Sequence, residues 1–220
     1  MSVKAAFGSM DSELFDPKEH PNFAYFLAPP ILLDSANFSP LLKGNKWSEE
    51  DVEILRWLQT FSSKIGDDLF NHLYGLRQDQ KVALNLGLAA NLVRDYKQYP
   101  IAGGKLLLGC SVLVFSPETM LATYGSEQCC AELESLMLKR GLHIYTQVCN
   151  VVTGDNQWSK HLLVYTADSQ LMEHFCGVLR QSDRLKLGGE TRAQKFMVHW
   201  ECRDKTVTRK VFEQIVKTGF

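Results

Sequence analysis

Residues Gly104–Met120, "GKLLLGCSVLVFSPETM", decide the fold. Leu106 to Phe115 form an apolar run of strand length, far short of the roughly 18 residues that a membrane span requires. Ser116 then offers a side-chain oxygen to orphan helix N–H groups, and Pro117 has the fixed φ that suits a first helical position. The helical pattern runs through "PETMLATYGSEQCCAELESLMLKRG" to Gly141, a residue suited to a helix C-terminal stop. "LHIYTQVCNVVTGDNQ" is β again. Strand, helix, strand is the grammar of a βαβ unit.

Working outward, "KHLLVYTAD" adds a strand after a Gly154-Asp155-Asn156 turn, "SQLMEHFCGVLRQS" a helix, "KFMVHWE" a strand, and the terminal segment a last helix. Upstream, "KWSEEDVEILRWLQTF" reads as a helix capped by Ser48, with three acidic residues in its first turn and an apolar face. Short helices are expected near "DDLFNHLYGL", "DQKVAL" and "LGLAANLVRDYK". Residues 1–30 read as irregular, with Pro29-Pro30 leading into a short apolar strand, Ile31-Leu32-Leu33, that ends at Asp34. The expected class is α/β: a mixed sheet of about five strands with helices on its faces.

The composition excludes several classes. Of 220 residues 45% are hydrophobic and 22% charged, and the formal net charge is -1. With a pI near 6.6 the whole-molecule field does not recruit polyanions, so any anion site is local. The absence of an aromatic-basic stripe also disfavours nucleic-acid binding. Mean hydropathy is -0.15, and the opening "MSVKAAFGSMDSELF" has no continuous apolar core of the kind a secretory signal carries; a cytoplasmic protein with no membrane association is expected. Six scattered cysteines, without a C-x-x-C pair or a histidine at zinc spacing, read as buried reduced thiols. No Walker A loop, nucleophile elbow, Rossmann glycine fingerprint or His-Asp metal cluster is present, and the histidines stand apart from acidic partners in sequence.

Two basic clusters remain. In "TVTRKVFEQIVK", Thr206–Lys217, Thr208 reads as an N-cap, which puts Arg209 and Lys210 in the first turn of a helix. Cations there oppose the macrodipole by a few tenths of a kcal/mol each. Backbone N–H groups, a guanidinium and an ammonium together make a receptor for phosphate. Alternatively both side chains point into water, or Glu201 or Asp204 neutralises them. The other cluster is "NLVRDYKQYPIAGGK", residues 91–105, where Lys97 falls near a helix C-terminus and a lysine is welcome on dipole grounds alone.

Taken in order, "ILLDSANF", "WSEEDVE", "LVRDYKQY", "GGKLLLGCSVLVF" and "VTRKVFEQIV" resemble the second half of the DHH phosphoesterase branch that includes cytosolic exopolyphosphatase, prune-type proteins and family II inorganic pyrophosphatases. The resemblance extends from about Gly8-Ser9 to the C-terminus. It implies that residues 1–42 close a DHH-type catalytic domain and that 43–220 form the substrate-binding domain. In that family a first domain holds two divalent metals, manganese or magnesium, and a second supplies basic residues to the phosphate chain. Asp34 matches the last metal motif; Lys97 matches the Asp-x-Lys lysine; Arg209 and Lys210 match a terminal Ser-Arg-Lys clamp, with Thr208 in the serine position.

The other metal motifs, Asp-x-Asp and Asp-His-His, do not occur in these residues. The resemblance therefore implies an exopolyphosphatase-like half that binds inorganic polyphosphate or pyrophosphate, holds no metal alone, and turns over only with a separate DHH catalytic domain. Either a fragment or a family member that has lost its catalytic half fits this pattern. A different class, a non-catalytic interaction module docking a partner through the Trp47 and Trp57 region, is the alternative.

Overall fold

The computed structural model describes residues 21–44, 46–152, 158–194, 196–205 and 207–220. The chain divides into two compact units, one ending at Arg77 and the other running Gln78–Phe220; the sequence resemblance puts its boundary at 42/43.

In the first unit, helix α1 covers Pro21–Asp34, α2 Glu49–Gln59 and α3 begins at Asp67 and ends at Gln78. The expected strand Ile31-Leu32-Leu33 does not exist, because it is the last turn of α1. Two prolines inside a helix remove backbone donors and normally kink or break it. Here Ala24, Ala28 and Leu32, spaced four apart, are all nearly or fully buried along one face. They pack with Ile54, Leu55 and Leu58 of α2 and Leu69 of α3. That helical face outweighs the prolines: of the stretch 1–30 expected to be irregular, residues 21–30 are helical and 1–20 lie outside the described residues. After Asp34 the chain turns through three successive left-handed residues, Ala36, Asn37 and Phe38, fastened by Asn37 Nδ2 donating to Asp67 Oδ1 at 3.0 Å. Ser48 caps α2 in a capping box with Asp51, as expected.

The second unit opens with α4 (Gln80–Asn85) and α5 (Leu88–Leu92) and then builds a six-stranded mixed sheet. Its strands are β1 (Lys97–Ile101), β2 (Leu106–Leu113), β3 (Ile144–Val152), β4 (Trp158–Tyr165), β5 (Leu187–Gln194) and β6 (Met197–Cys202), in spatial order β1-β2-β3-β4-β6-β5. The pair β2 and β3 is parallel and every other pair antiparallel. The crossover from β2 to β3 is broken at Gly125 into α6 (Pro117–Tyr124) and α7 (Ser126–Arg140), with Gly141 in the left-handed conformation as its stop. Helices α8 (Ser169–Arg180) and α9 (Arg209–Gly219) complete the unit. The expected 154–156 turn lies outside the described residues.

Strand alternation sorts the interior into two layers. Leu113, Tyr145, Cys149, Leu163 and Met197 pack with α4 to α7 on one face. Leu108, Val148, Leu162, Trp200 and the α8 and α9 residues Phe175 and Phe212 fill the other.

Candidate functional site

The end of the sheet where parallel β2 and β3 terminate is where α/β folds place ligands. Chain direction brings four things there: the turn into β1, the start of α6, the start of β4 and the chain leaving β6 for α9. Thr208 caps α9, its hydroxyl accepting from the Val211 N–H at 3.3 Å, so Arg209 and Lys210 do stand in a first helical turn.

The carboxylate that meets Arg209 is that of Asp95, from the other basic cluster. Arg209 Nη1 is 2.9 Å from Asp95 Oδ1 and also donates to the Asp95 backbone carbonyl. Asp95 has a positive φ of 45°, so a strained turn presents both acceptors to one nitrogen. The Arg209 side chain is four-fifths buried, while Lys210 is exposed.

Lys97 is the first residue of β1, not the end of a helix, so the favourable helix-dipole explanation for it lapses. It pairs in register with Cys110, which belongs to the α9-facing core layer; Tyr99, two residues on, packs in that layer as well. Lys97 is therefore on the α9 face of the sheet, two residues from the carboxylate that holds Arg209. The neighbourhood is knitted along its length: Lys217 Nζ lies 5.5 Å above the Tyr99 ring. Burial pushes the Tyr99 hydroxyl up to about 12 and the Cys110 thiol up to about 11, against the opposing pull of Arg209 on both. Both groups are neutral near pH 7, so the fixed charges around them are Asp95, Glu213 and the cations.

Asp34 lies in the other compact unit, exposed at the end of α1. It lines a small cavity of about 200 Å³ with Lys46, Trp47, Ser35 and Asp51. Asp51 is committed to the Ser48 backbone N–H at 2.7 Å, and the lysine's charge opposes a cation. Among the described residues no three His, Cys, Asp or Glu side chains gather in a way that could hold a metal ion. The residues present do not fit the divalent metal pair that the resemblance implies.

One constellation escapes sequence reading. On the opposite sheet face, Glu118 at the start of α6 stands between His199 (Nδ1 to Oε1, 3.2 Å) and His161 (Nδ1 to Oε2, 3.8 Å). Burial holds the His199 imidazole below its ordinary pKa, with Glu118 pulling the other way. Burial by itself would raise the Glu118 carboxyl, but the Ser116 hydroxyl, its own N–H and the two imidazoles outweigh it and hold it below the usual range. The three residues come from widely separated segments, and only the β4 and β6 register unites the histidines.

No family model matches the chain, and no curated protein sequence does. Solved structures do match. A protein of Methanococcus jannaschii assigned to the family II inorganic pyrophosphatases aligns with a TM-score of 0.51 and 15% identity, over 89% of this chain and 56% of that one. The fold is pyrophosphatase-like. The chain thus spans little more than half the length of that neighbour. CDC45 from Entamoeba histolytica aligns at a TM-score of 0.35 and 8% identity, over 78% of this chain and 33% of that chain, too loosely to carry an argument. No helix among the described residues is long and apolar enough to cross a membrane.

Proposed function

We propose that the chain is the phosphate-binding half of an exopolyphosphatase-like phosphohydrolase, taking pyrophosphate or inorganic polyphosphate at the opening turn of α9. The observation that carries this reading is Arg209, a helix N-terminal arginine held by Asp95 in a turn that leads directly into Lys97. Arginine offers a fork of five donors, and Asp95 engages one nitrogen of it. Lys97 and Lys210 add point charges, and the α9 N–H groups add a backbone receptor. Hydrolysis requires a metal-bearing DHH domain, which these residues do not supply; Asp34 is proposed as a ligand only in the company of such a domain. The pyrophosphatase-like fold of the structural neighbour supports the assignment.

Isothermal titration with pyrophosphate and with tripolyphosphate at low ionic strength tests it. Binding should weaken as salt is raised, since exposed charges are screened over about 10 Å at 0.1 M. It should fall by at least about tenfold in the Arg209→Ala, Lys210→Ala double variant, which loses charge-assisted bonds. Absence of heat from either anion at low salt sinks this reading in favour of an interaction module. Trp47, however, already packs edge-on to Phe38 and donates to the Ser39 carbonyl, and Trp57 packs edge-on to Phe61.

A further inference from the structure

Lys160 is a buried lysine that neither the sequence motifs nor the phosphate clamp accounts for. It sits in β4 opposite Asn150 of β3, and alternation puts it with Leu162 and Val164 on the α9 side of the sheet. Only 9% of its surface is exposed. Lysines are almost never buried to this degree unless a partner receives the charge. The partner here is backbone: Lys160 Nζ donates to the carbonyl oxygen of Val207. Val207, itself 3% exposed, immediately precedes the Thr208 cap.

That peptide bond is the one through which the chain enters α9. Its carbonyl is fixed by the ammonium, and its N–H is the N–H of Thr208, so fixing the plane sets the direction in which the cap and the first helical N–H groups face. The cost of a buried ammonium is visible in its lowered pKa, which burial depresses while Cys202 and Asp204 pull it back up. Those two are the ionisable groups facing it, from β6 and from the loop that follows; its β3 neighbour Asn150 is uncharged. A cation buried beneath a helix N-terminus is also on the unfavourable side of the macrodipole, as Arg209 and Lys210 are. An anion arriving at this helix start would meet that charge as well as those of Arg209 and Lys210.

We propose that Lys160 is a further basic residue of the phosphate site: a positioning residue that holds the Val207 carbonyl ahead of the opening turn of α9, as Asp95 holds the Arg209 guanidinium. The turn is then held by its backbone and by its side chain, and the receptor is formed before the condensed phosphate arrives. Pre-formed donors bind better because less ordering remains to be done on binding.

The inference rests on the phosphate-binding reading, so two readouts separate them. Pyrophosphate titration is run on the wild type, Lys160→Met and Lys160→Arg, and amide hydrogen exchange is measured on the same proteins without ligand. Lys160→Met, which leaves the Val207 carbonyl without its ammonium, is expected to weaken pyrophosphate binding about tenfold through the displaced turn. Lys160→Arg, which keeps the charge, should recover most of that loss. Exchange should rise at residues 207–211 in Lys160→Met, with β3 and β4 still protected. Equal affinity of the wild type and Lys160→Met overturns the inference. If the wild type binds no pyrophosphate, the proposed function fails and the phosphate role of Lys160 with it; exchange then decides the positioning role alone, local deprotection at 207–211 sustaining it and unchanged protection overturning it. Should Lys160→Met not fold, the wild type labelled with 13C at valine carbonyls is titrated with alkali. A Val207 shift that moves before the exposed lysines deprotonate supports the contact, and a flat response overturns it.

Discussion

Asp95 faces two demands that its substitutions can separate. Its carboxylate steers Arg209, yet it also places a negative charge inside a site argued to receive anions. Asparagine in its place would keep an acceptor oxygen and tolerates the left-handed backbone that this position adopts, at φ 45°. Asp95→Asn should therefore tighten pyrophosphate binding a few-fold at low salt. Asp95→Ala removes the acceptor and puts alanine in a conformation costing about 1–2 kcal/mol, and should weaken it. Titration of both variants checks this; an asparagine variant that binds no tighter than the wild type would show that the Asp95 charge does not bear on the ligand. Stability should change by only about 1 kcal/mol in Asp95→Asn, because the Asp95 side chain is about half exposed and its asparagine keeps an acceptor for Arg209.

Gly109 in β2 acts on the same turn through contact. A Cβ there would stand 2.6 Å from Leu142 Cδ1 and 3.1 Å from the Tyr96 hydroxyl. Tyr96 immediately follows Asp95, so Gly109→Ala should displace the turn. The expected loss is about 1–3 kcal/mol of stability, the range for overpacking, together with weaker pyrophosphate binding. A thermal melt and a titration measure the two.

Elements were legible in the sequence wherever burial wrote a clear period. The βαβ unit could be read because β2 and β3 are central and apolar, and because Ser116, Pro117 and Gly141 mark their helices. The two missed strands, β1 and β5, are the sheet's edges. β1 contains Pro100, tolerated where a strand has one free side; β5 opens Leu-Gly-Gly-Glu, is largely exposed and carries register shifts. An edge strand takes its hydrogen bonds from its neighbour, and its composition need not announce it. Missing β1 had a consequence for the site, since it turned Lys97 from a strand residue on the α9 face into a helix-end lysine. The Pro29-Pro30 pair misled in the other direction: a strong local breaker hid the four-residue spacing of Ala24, Ala28 and Leu32. Arg209 and Lys210 were legible because their position defied the helix dipole, whereas Lys160 and the Glu118 cluster depend on sheet register.

Helix α6 is tied to β4 and β6 through that cluster, which gives the fold a pH dependence of definite sign. His199 has a folded-state pKa below 6.5, so between the two values the unfolded chain binds more protons. Its contribution is complete above about pH 6.5 and is lost as pH falls towards the folded value. The depressed Glu118 carboxyl works in the same direction at lower pH, its contribution present above 4.5 and lost below. Urea midpoints measured from pH 8 to 5 should fall, and His199→Gln should flatten the descent below about pH 6.5. A variant with the wild-type slope would place the titrating group elsewhere.

Across the whole molecule, the net charge of -1 and the local cations at one end of the sheet suit the proposed receptor, and hydrolysis demands something else. Phosphoanhydride cleavage of the two-metal kind uses the ions to generate the nucleophile and to clamp the attacking and leaving oxygens. Lysines and an arginine can position a phosphate chain and neutralise its charge, but they cannot deprotonate water near pH 7. The described residues gather no metal-binding group, and the aligned span covers 56% of the pyrophosphatase-like neighbour. With pyrophosphate and either manganese or magnesium, the chain should release phosphate no faster than buffer, even at concentrations that saturate binding. Supplying a separate DHH domain should produce turnover that falls by at least about tenfold when Arg209 and Lys210 are both alanine, while that domain's metal content stays the same. Turnover by the 220-residue chain alone would mean that a metal site exists among its own residues, and the division of labour between two halves would have to be abandoned.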